Sequence, residues 1–477
     1  MLSVRNTGWL LSIVFLNGCA SLALNAGFDQ VQATVEERAT VKIYWNNGTD
    51  LDKEAAEKLG SLLKDKLTAD DAVQIALLNN RELQAVYSDL GVAQADLVQA
   101  GLLNNPIFDG SITWPVPGGG KPDLELAVVM NFLDIIYLPL RKRVATARFE
   151  EAKTRISGVV LDFAGRVRTA FFLHQANEQM LELRQTIVQA LTASFQVTRR
   201  LHEAGNITDL ELARERAMFE GSKLALRSAE VAVRQSREEL NTLMGLWGKQ
   251  TEWQTEERLP EVPEQPIQTD DIERVALNRS VELLNARQRL VSAGEQLGLN
   301  KATALIPESH IGTLGERSDG AWEVGPVLEF PIPLFDQGQA RTGRAAAELR
   351  RAQQDYYALA VKIRATAHAL RDRAQGARDR VLYYRDIMLP LHERIVNESQ
   401  LHYNAMQLGP IQLLRAREQQ IETGVAYVEA LRDYWLARTG VGQLLSGRLP
   451  GGDGARAVEA GAAMRSPGPQ RRNPEGH

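Results

Sequence analysis

Between residues 180 and 201, apolar side chains recur at steps of three and four: Met180, Leu183, Ile187, Ala190, Val197 and Leu201, with Ser194 as the one polar break. This spacing lays one apolar stripe along a helix and reads as a coiled-coil seam. No proline lies between Pro139 and residue 203, so the helix is free to run about 65 residues, roughly 100 Å at 1.5 Å per residue. The pattern returns in Leu349, Ala352, Tyr356, Leu359, Ile363, Ala367 and Leu370. Helices of this length fit no compact globule and predict a rod.

Elsewhere the period is two. Phe108, Ile112 and Trp114 alternate with Asp109, Ser111 and Thr113; Leu124, Leu126, Val128, Met130 and Phe132 share one face opposite Glu125 and Asn131. The weaker stretch 309–317 and the segment 321–330, with Trp322, Val324, Leu328 and Phe330 opposed by Glu323 and Glu329, repeat the theme. Strands of about ten residues that are apolar on one side suit a transmembrane barrel. Taken alone they also suit two hairpins lying on a soluble core. At the end of long helices, however, no other sequence is available to cover their apolar faces. Four strands cannot close a barrel, and an open apolar sheet aggregates through its edges, so closure is expected from further copies of the chain.

The two patterns occur in tandem. "LTADDAVQIALLNNREL" (67–83) aligns with "IQTDDIERVALNRSVEL" (267–283), and Leu243-x-Gly245 answers Leu445-x-Gly447 after a slight drift in offset. A duplication of about 200 residues is too long for a solenoid repeat, so each copy is half of one structure. Each half reads helix, two strands, long helix, tight turn, long helix. The first helices open at Thr68 and Thr269 with Asp70-Asp71 and Asp270-Asp271 in the first turn. In the first turn between long helices, Gly205 and Asn206 suit a left-handed C-cap, while Thr208 and Glu211 form a capping box. In the second, Gly409 is expected to stop one helix and Pro410 to begin the next.

Composition narrows the function classes. Hydrophobic residues make up 44% and charged residues 24%, with a net charge of −5 and no concentrated basic patch, which gives no support to nucleic-acid binding. The seven histidines are scattered without metal-ligand spacing. "VPGGGKPD" (116–123) lacks the spacing and the Ser or Thr of a phosphate loop and reads as a hairpin loop between strands. No catalytic residues, cofactor or metal site are expected. The single cysteine, Cys19, ends a short apolar run behind Arg5. The run is too short to span a bilayer, and Leu16-Asn17-Gly18-Cys19 resembles a bacterial lipobox. An ordinary secretory signal with an incidental cysteine is the other reading.

Tandem halves of helix, β-hairpin and long helical hairpin, the duplicated "DDA…AL…EL" opening, the "AGNITDLEL" turn and the Leu-x-Gly ends together resemble the TolC-type outer-membrane factor family, lipoprotein branch. The resemblance implies a mainly α protein with a small β part: tandem-duplicated long coiled-coil hairpins plus four transmembrane strands per chain. It implies a homotrimer closing a twelve-stranded barrel on an α-helical tunnel. Residues 1–18 are then a lipoprotein signal peptide, 19–66 a lipid-tethered lead, 67–105 the helix of the first repeat and 106–134 its β-hairpin. Residues 135–250 are the first long helical hairpin, 251–266 a linker, 267–305 the helix of the second repeat and 306–334 its β-hairpin. Residues 335–447 are the second long hairpin and 448–477 a disordered tail.

For function, the resemblance implies the exit duct of a tripartite efflux system, in the cell outer membrane and extending into the periplasm. The partners would be a periplasmic adaptor (membrane fusion protein), an inner-membrane pump of the resistance-nodulation-division type, and outer-membrane lipid held through Cys19. Docking falls to Arg200, Leu201, Ala204, Gly205, Asn206 and Thr208 at one tip and Met406, Gln407, Gly409 and Pro410 at the other. The candidate gate is Asn397, Glu398 and Gln400, where Glu398 is the only acid. A type I protein-secretion duct and a non-conducting, lipid-tethered coiled-coil scaffold remain the alternatives.

Overall fold

The structure is a computed structural model that describes residues 25–451, apart from residues 40, 47, 49–50, 115, 117–120, 257, 266–270, 307 and 319. Cys19, the signal segment, Thr269, Asp270 and most of the C-terminal tail lie outside the described residues, as does the centre of the 116–123 loop. The helices are α1 (Phe28–Ala39), α2 (Leu51–Leu62), α3 (Ala69–Asn79) and α4 (Arg81–Ala100), followed by strands β1 (Ile107–Thr113) and β2 (Asp123–Asn131). The first long hairpin is α5 (Leu133–Glu203) and α6 (Asp209–Met244). The second half runs α7 (Ile272–Arg279), α8 (Val281–Ala302), β3 (His310–Ser318), β4 (Ala321–Glu329), α9 (Gln339–Tyr383), α10 (Leu389–Asn404) and α11 (Pro410–Leu445).

The helix expected over 67–105 is two helices. Asn80 takes an extended conformation and caps α4, its Oδ1 accepting from Leu83 N at 2.9 Å. Ser280 does the same for α8, accepting from Leu283 N at 3.0 Å. The duplication therefore carries the break with it. At each break the returning hairpin docks: Asn79 Nδ2 donates to Gly245 O at 2.7 Å, and Val281 N donates to Gly447 O at 2.9 Å.

A row of buried residues, small except for Glu215 and Leu444, lets the long helices approach. Glu215, Ser222, Ala229 and Ser236 are buried at steps of seven along α6, and Ala416, Thr423, Ala430, Ala437 and Leu444 along α11. This is a heptad seam with small side chains at one of its two positions. In the middle of the rod, Phe163, Val167 and His174 of α5 are matched in burial by Ile363, Ala367 and Ala374 of α9, an offset of 200. Nearer the tip the offset is 201, because Gly205 is matched by Met406. The extra residue is absorbed by a π turn at Tyr384–Met388, which joins α9 to α10. Pro390, two residues further on, has no N–H to donate to the carbonyl of Asp386, so the wide turn sits where the hydrogen-bond ladder is already interrupted.

The segment expected to be a lipid-tethered lead contributes to the core. Val31 and Val35 of α1 are fully buried, and Phe28 packs edge-on against Tyr87 with ring centroids 5.1 Å apart. Nearby, Arg448 joins the halves: its guanidinium pairs with Asp162 and, at 3.3 Å, with Glu282. Burial weakens the Arg448 charge, but these carboxylates outweigh it and raise its pKa above the ordinary value. Arg448 and Leu449 therefore belong to the packed body, not to the tail expected from residue 448 onward, because they are held by Asp162 and by Glu282 Oε1, which accepts from Leu449 N at 2.7 Å.

The four strands form one antiparallel sheet in the order β1-β2-β3-β4. Phe108 pairs with Val128, which pairs with Thr313, and Met130 pairs with Ile311, which pairs with Leu328. This register gathers Phe108, Ile112, Val128, Ile311, Trp322, Val324 and Leu328 on one face, all exposed in the single chain. The opposite face carries Asp109, Glu125, Glu316, Glu323 and Glu329.

Candidate functional site

The helical hairpins end in two turns of the same design. In the first, Asn206 N donates to Leu201 O at 2.9 Å and Gly205 N to His202 O at 2.8 Å, with Gly205 left-handed at φ 76°. This is a Schellman stop. Thr208 then caps α6 reciprocally: Glu211 N donates to its Oγ1 at 3.3 Å, and Thr208 N donates to Glu211 Oε2 at 2.8 Å. His202 Nε2 and Asp209 Oδ1, 2.6 Å apart, staple the two helices across the turn.

The second turn repeats the stop with a different residue. Gln407 N donates to His402 O and Met406 N to Tyr403 O, both at 2.9 Å, and Met406 is the left-handed residue at φ 59°. Gly409, expected to stop the helix, instead sits extended as the N-cap of α11 ahead of Pro410. The reason is hydrogen bonding: the orphan carbonyls of His402 and Tyr403 come into reach of the chain at 407 and 406, two and three residues before the glycine. Met406 is 95% exposed, so an apolar side chain stands at the end of the rod.

The ten tip residues group as two turns. Arg200, Ala204, Gly205, Asn206 and Thr208 are exposed on the first, while Leu201 is half-buried between the hairpins. Met406 and Gln407 are exposed on the second, with Gly409 and Pro410 half-buried. Asn397 and Glu398 lie on the exposed face of α10, away from the turns. Gln400 faces the other way, into a cleft of about 460 Å³ between the hairpins that also takes in Leu201, Glu215 and Pro410. The structure thus separates Gln400 from its two gate neighbours. Glu215 escaped the sequence reading because a lone acid on a helix looks solvated; its place in a seven-residue row of small side chains was the available signal.

A Ser-His-Glu row, its serine and histidine buried and its glutamate half-buried, also went unseen. Ser236 Oγ lies 2.8 Å from His174 Nδ1, and His174 Nε2 lies 3.4 Å from Glu178 Oε1. Burial alone would raise the Glu178 carboxyl, but contacts with His174 and Thr255 outweigh it and hold it below the usual carboxylate range. Ser236 is 4% exposed and His174 fully buried, so no substrate reaches them, and the row acts as core packing. Among the described residues, no group of three or more His, Cys, Asp or Glu is placed to hold a metal ion, and no helix is long and apolar enough to cross a membrane.

Known proteins share this plan. Residues 140–246, most of the first hairpin, match the family described as outer membrane efflux protein. The chain is 21% identical over 391 residues to the cobalt-zinc-cadmium resistance protein CzcC of Cupriavidus metallidurans, covering 80% of this chain and 90% of that one. It is 22% identical over 311 residues to the cation efflux system protein CusC of Escherichia coli K12, covering 58% of this chain and 64% of CusC. Among solved structures, CusC superposes with a TM-score of 0.64 at 16% identity, over 82% of this chain and 92% of its own. The Campylobacter jejuni outer membrane channel CmeC gives 0.63 at 14% identity, over 96% and 97%. The fold is that of the TolC-type channels, long helical hairpins carrying a small antiparallel sheet. Family match, relatives and fold agree in what the chain is similar to: outer-membrane efflux channels of the TolC type.

Proposed function

We propose that the chain is the outer-membrane exit duct of a tripartite efflux system, passing small solutes or ions from the periplasm to the outside as a homotrimer. The observation that carries this reading is the sheet: four strands with an exposed apolar face, an acidic face and two unpaired edges, at the end of helices of up to 71 residues. Three copies joined edge to edge close twelve strands, with the apolar faces to lipid and the carboxylates to a lumen, whereas the eight strands of two copies would leave an interior filled by side chains. A scaffold without a pore leaves the apolar face without a role. The names of the relatives CzcC and CusC, which refer to cobalt, zinc and cadmium resistance and to cation efflux, favour cations as cargo and efflux over protein secretion.

The tips at Gly205 and Met406 would meet a periplasmic adaptor backed by a resistance-nodulation-division pump. Of the candidate gate, Asn397 and Glu398 would act from the exposed face of α10 and Gln400 from the cleft between the hairpins, and Cys19 would carry the lipid anchor. The duct performs no bond chemistry. Detergent-purified protein tested in a planar bilayer, with its mass determined alongside, checks the reading. A trimer with discrete conductance is the expected result. A monomer that never conducts, even with the tips loosened by substitution, overturns it.

A further inference from the structure

The two halves meet along one junction inside the chain, and the counterpart of that junction is empty. α8 packs between its own long helix, α9, and the long helix of the first half, α5. Its equivalent, α4, packs on α5 and, among the described residues, has no second long helix beside it. By the repeat, the missing neighbour corresponds to α9, whose place in this chain is beside α8 and α11. The end of the first half is bare in the same way. Leu449, just past the Leu-x-Gly end of the second half, is 4% exposed, whereas its equivalent Trp247 is 79% exposed.

Charges at the filled junction indicate what fits the empty one. Arg289 of α8 pairs with Glu151 of α5 at 2.9 Å. The residues 200 positions away are Asp89 of α4 and Arg351 of α9, the same pair with both signs reversed. Asp89 also faces Arg155 of α5 at 3.7 Å, and the equivalent of Arg155 is Asp355 of α9, again reversed. Further along the rod, Asp162 and Glu282 hold Arg448. Their equivalents are Lys362 and Glu82, both exposed and neither in an ion pair among the described residues, while Arg448 becomes Leu246. Space changes with charge: a Cβ on Gly158 would fall 2.7 Å from the Arg448 guanidinium, and where Leu246 replaces the arginine, Ala358 replaces the glycine. Toward the sheet, Arg148 donates to Gln296 at 2.9 Å, and the equivalents Glu348 and Asp96 are both acids. Arg344, 2.9 Å from Glu348, supplies the base at that level.

We propose that Asp89 and Glu82 on one flank of the rod, and Arg351 and Lys362 on the other, form a charge lock between copies of this chain: the junction between the halves, repeated with its signs reversed. The inference rests on the homotrimer of the exit-duct reading above. Exposed ion pairs add little affinity, so the lock acts on the choice of neighbour. A first half offered to another first half sets Asp89 against Glu151, and a second half offered to a second half sets Arg289 against Arg351. Both contacts are repulsive, so the halves must alternate, each copy's α4 lying beside the next copy's α9. The contact is head to tail and closes as a ring. Trp247 then gains the cover that Leu449 already has.

Two measurements on the full-length protein in detergent test the lock. In the first, Asp89→Cys and Arg351→Cys are placed in one chain and treated with a bis-maleimide. Covalent dimers and trimers are expected, and neither single variant should give them. In the second, Lys362→Glu is expected to weaken trimer association roughly tenfold at low salt and less at high salt, and Glu82→Lys in the same chain to restore it. A trimer whose paired cysteines never join overturns the lock and leaves the duct. So does a trimer indifferent to Lys362→Glu, or a Lys362→Glu defect that Glu82→Lys does not repair. A native chain that stays monomeric overturns the duct reading as well.

Discussion

Gly447 lies against the carbonyl of Arg279 so closely that a Cβ on the glycine would fall 2.0 Å from that oxygen. Its φ of 94° closes α11 in the left-handed region, with Gly447 N donating to Leu444 O and Arg448 N to Gln443 O. Gly245 does the same for α6 with more room, its would-be Cβ 3.0 Å from Asn79 O. The duplicated Leu-x-Gly ends are thus the points where each returning hairpin locks into the broken first helix of its half.

Gly447→Ala is expected to cost roughly 3 kcal/mol or more, since it adds a backbone clash to a strained conformation. Gly245→Ala should cost only about 1–2 kcal/mol. Thermal unfolding followed by the helical circular dichroism signal ranks the pair. Equal effects would mean that the clash at Arg279 is relieved by local movement.

Met406 and Gly205 permit the opposite experiment. A side chain held in the left-handed region costs about 1 kcal/mol relative to glycine, and Met406 makes no buried contact that would be lost. Met406→Gly should therefore stabilise the second tip by about 1 kcal/mol, while Gly205→Ala destabilises the first by a similar amount. Hydrogen exchange of the amides at the two turns reads each change locally. If Met406→Gly loosens its turn, the methionine has packing in the trimer that the single chain does not contain.

The sequence made some of this legible and hid the rest for identifiable reasons. Helical periodicity and strand alternation are written in side-chain polarity, so the long helices, the strand faces and the Thr208 cap could be read directly. Breaks at Asn80 and Ser280 could not, because a polar residue inside a helical pattern looks like a solvent-facing position until its cap partner is seen. The glycine at 409 drew the expected helix stop away from Met406, since the rule favours glycine and the actual choice follows the reach of two carbonyls. A drift in offset from 200 to 202 between the halves was visible, but only the structure locates its first step in the π turn at Tyr384–Met388.

Glu178 makes the stability of the rod depend on pH in a stated direction. Its carboxyl is held below its ordinary value of 4.5 in the folded chain by His174 and Thr255, against the effect of burial. A group depressed by folding contributes fully above the unfolded value and loses that contribution as pH falls through the folded one. Unfolding measured from about pH 7 down to about pH 3 should thus show stability falling below pH 4.5, and Glu178→Gln should make the fall shallower. An identical profile in the variant would assign acid sensitivity to other carboxylates.

The acidic face of the sheet sets the last expectation. Ser111, Glu125, Glu316 and Glu323 stand in one row across the four strands, so three carboxylates neighbour each other directly. Like charges in opposed positions destabilise a sheet, and this chain tolerates three of them at one level. Three copies around a lumen would bring this row into a ring, where the summed potential concentrates cations and repels anions. Glu316, flanked on both sides, should be the most strained, so Glu316→Gln should stabilise the sheet by about 0.5 kcal/mol. The same change should move the reversal potential under a salt gradient toward zero, as cation preference weakens. Replacing all three glutamates by glutamine should remove most of that preference while leaving conductance measurable. An unchanged reversal potential in the triple variant would show that ions are selected elsewhere, and attention would pass to Glu398 on the exposed face of α10.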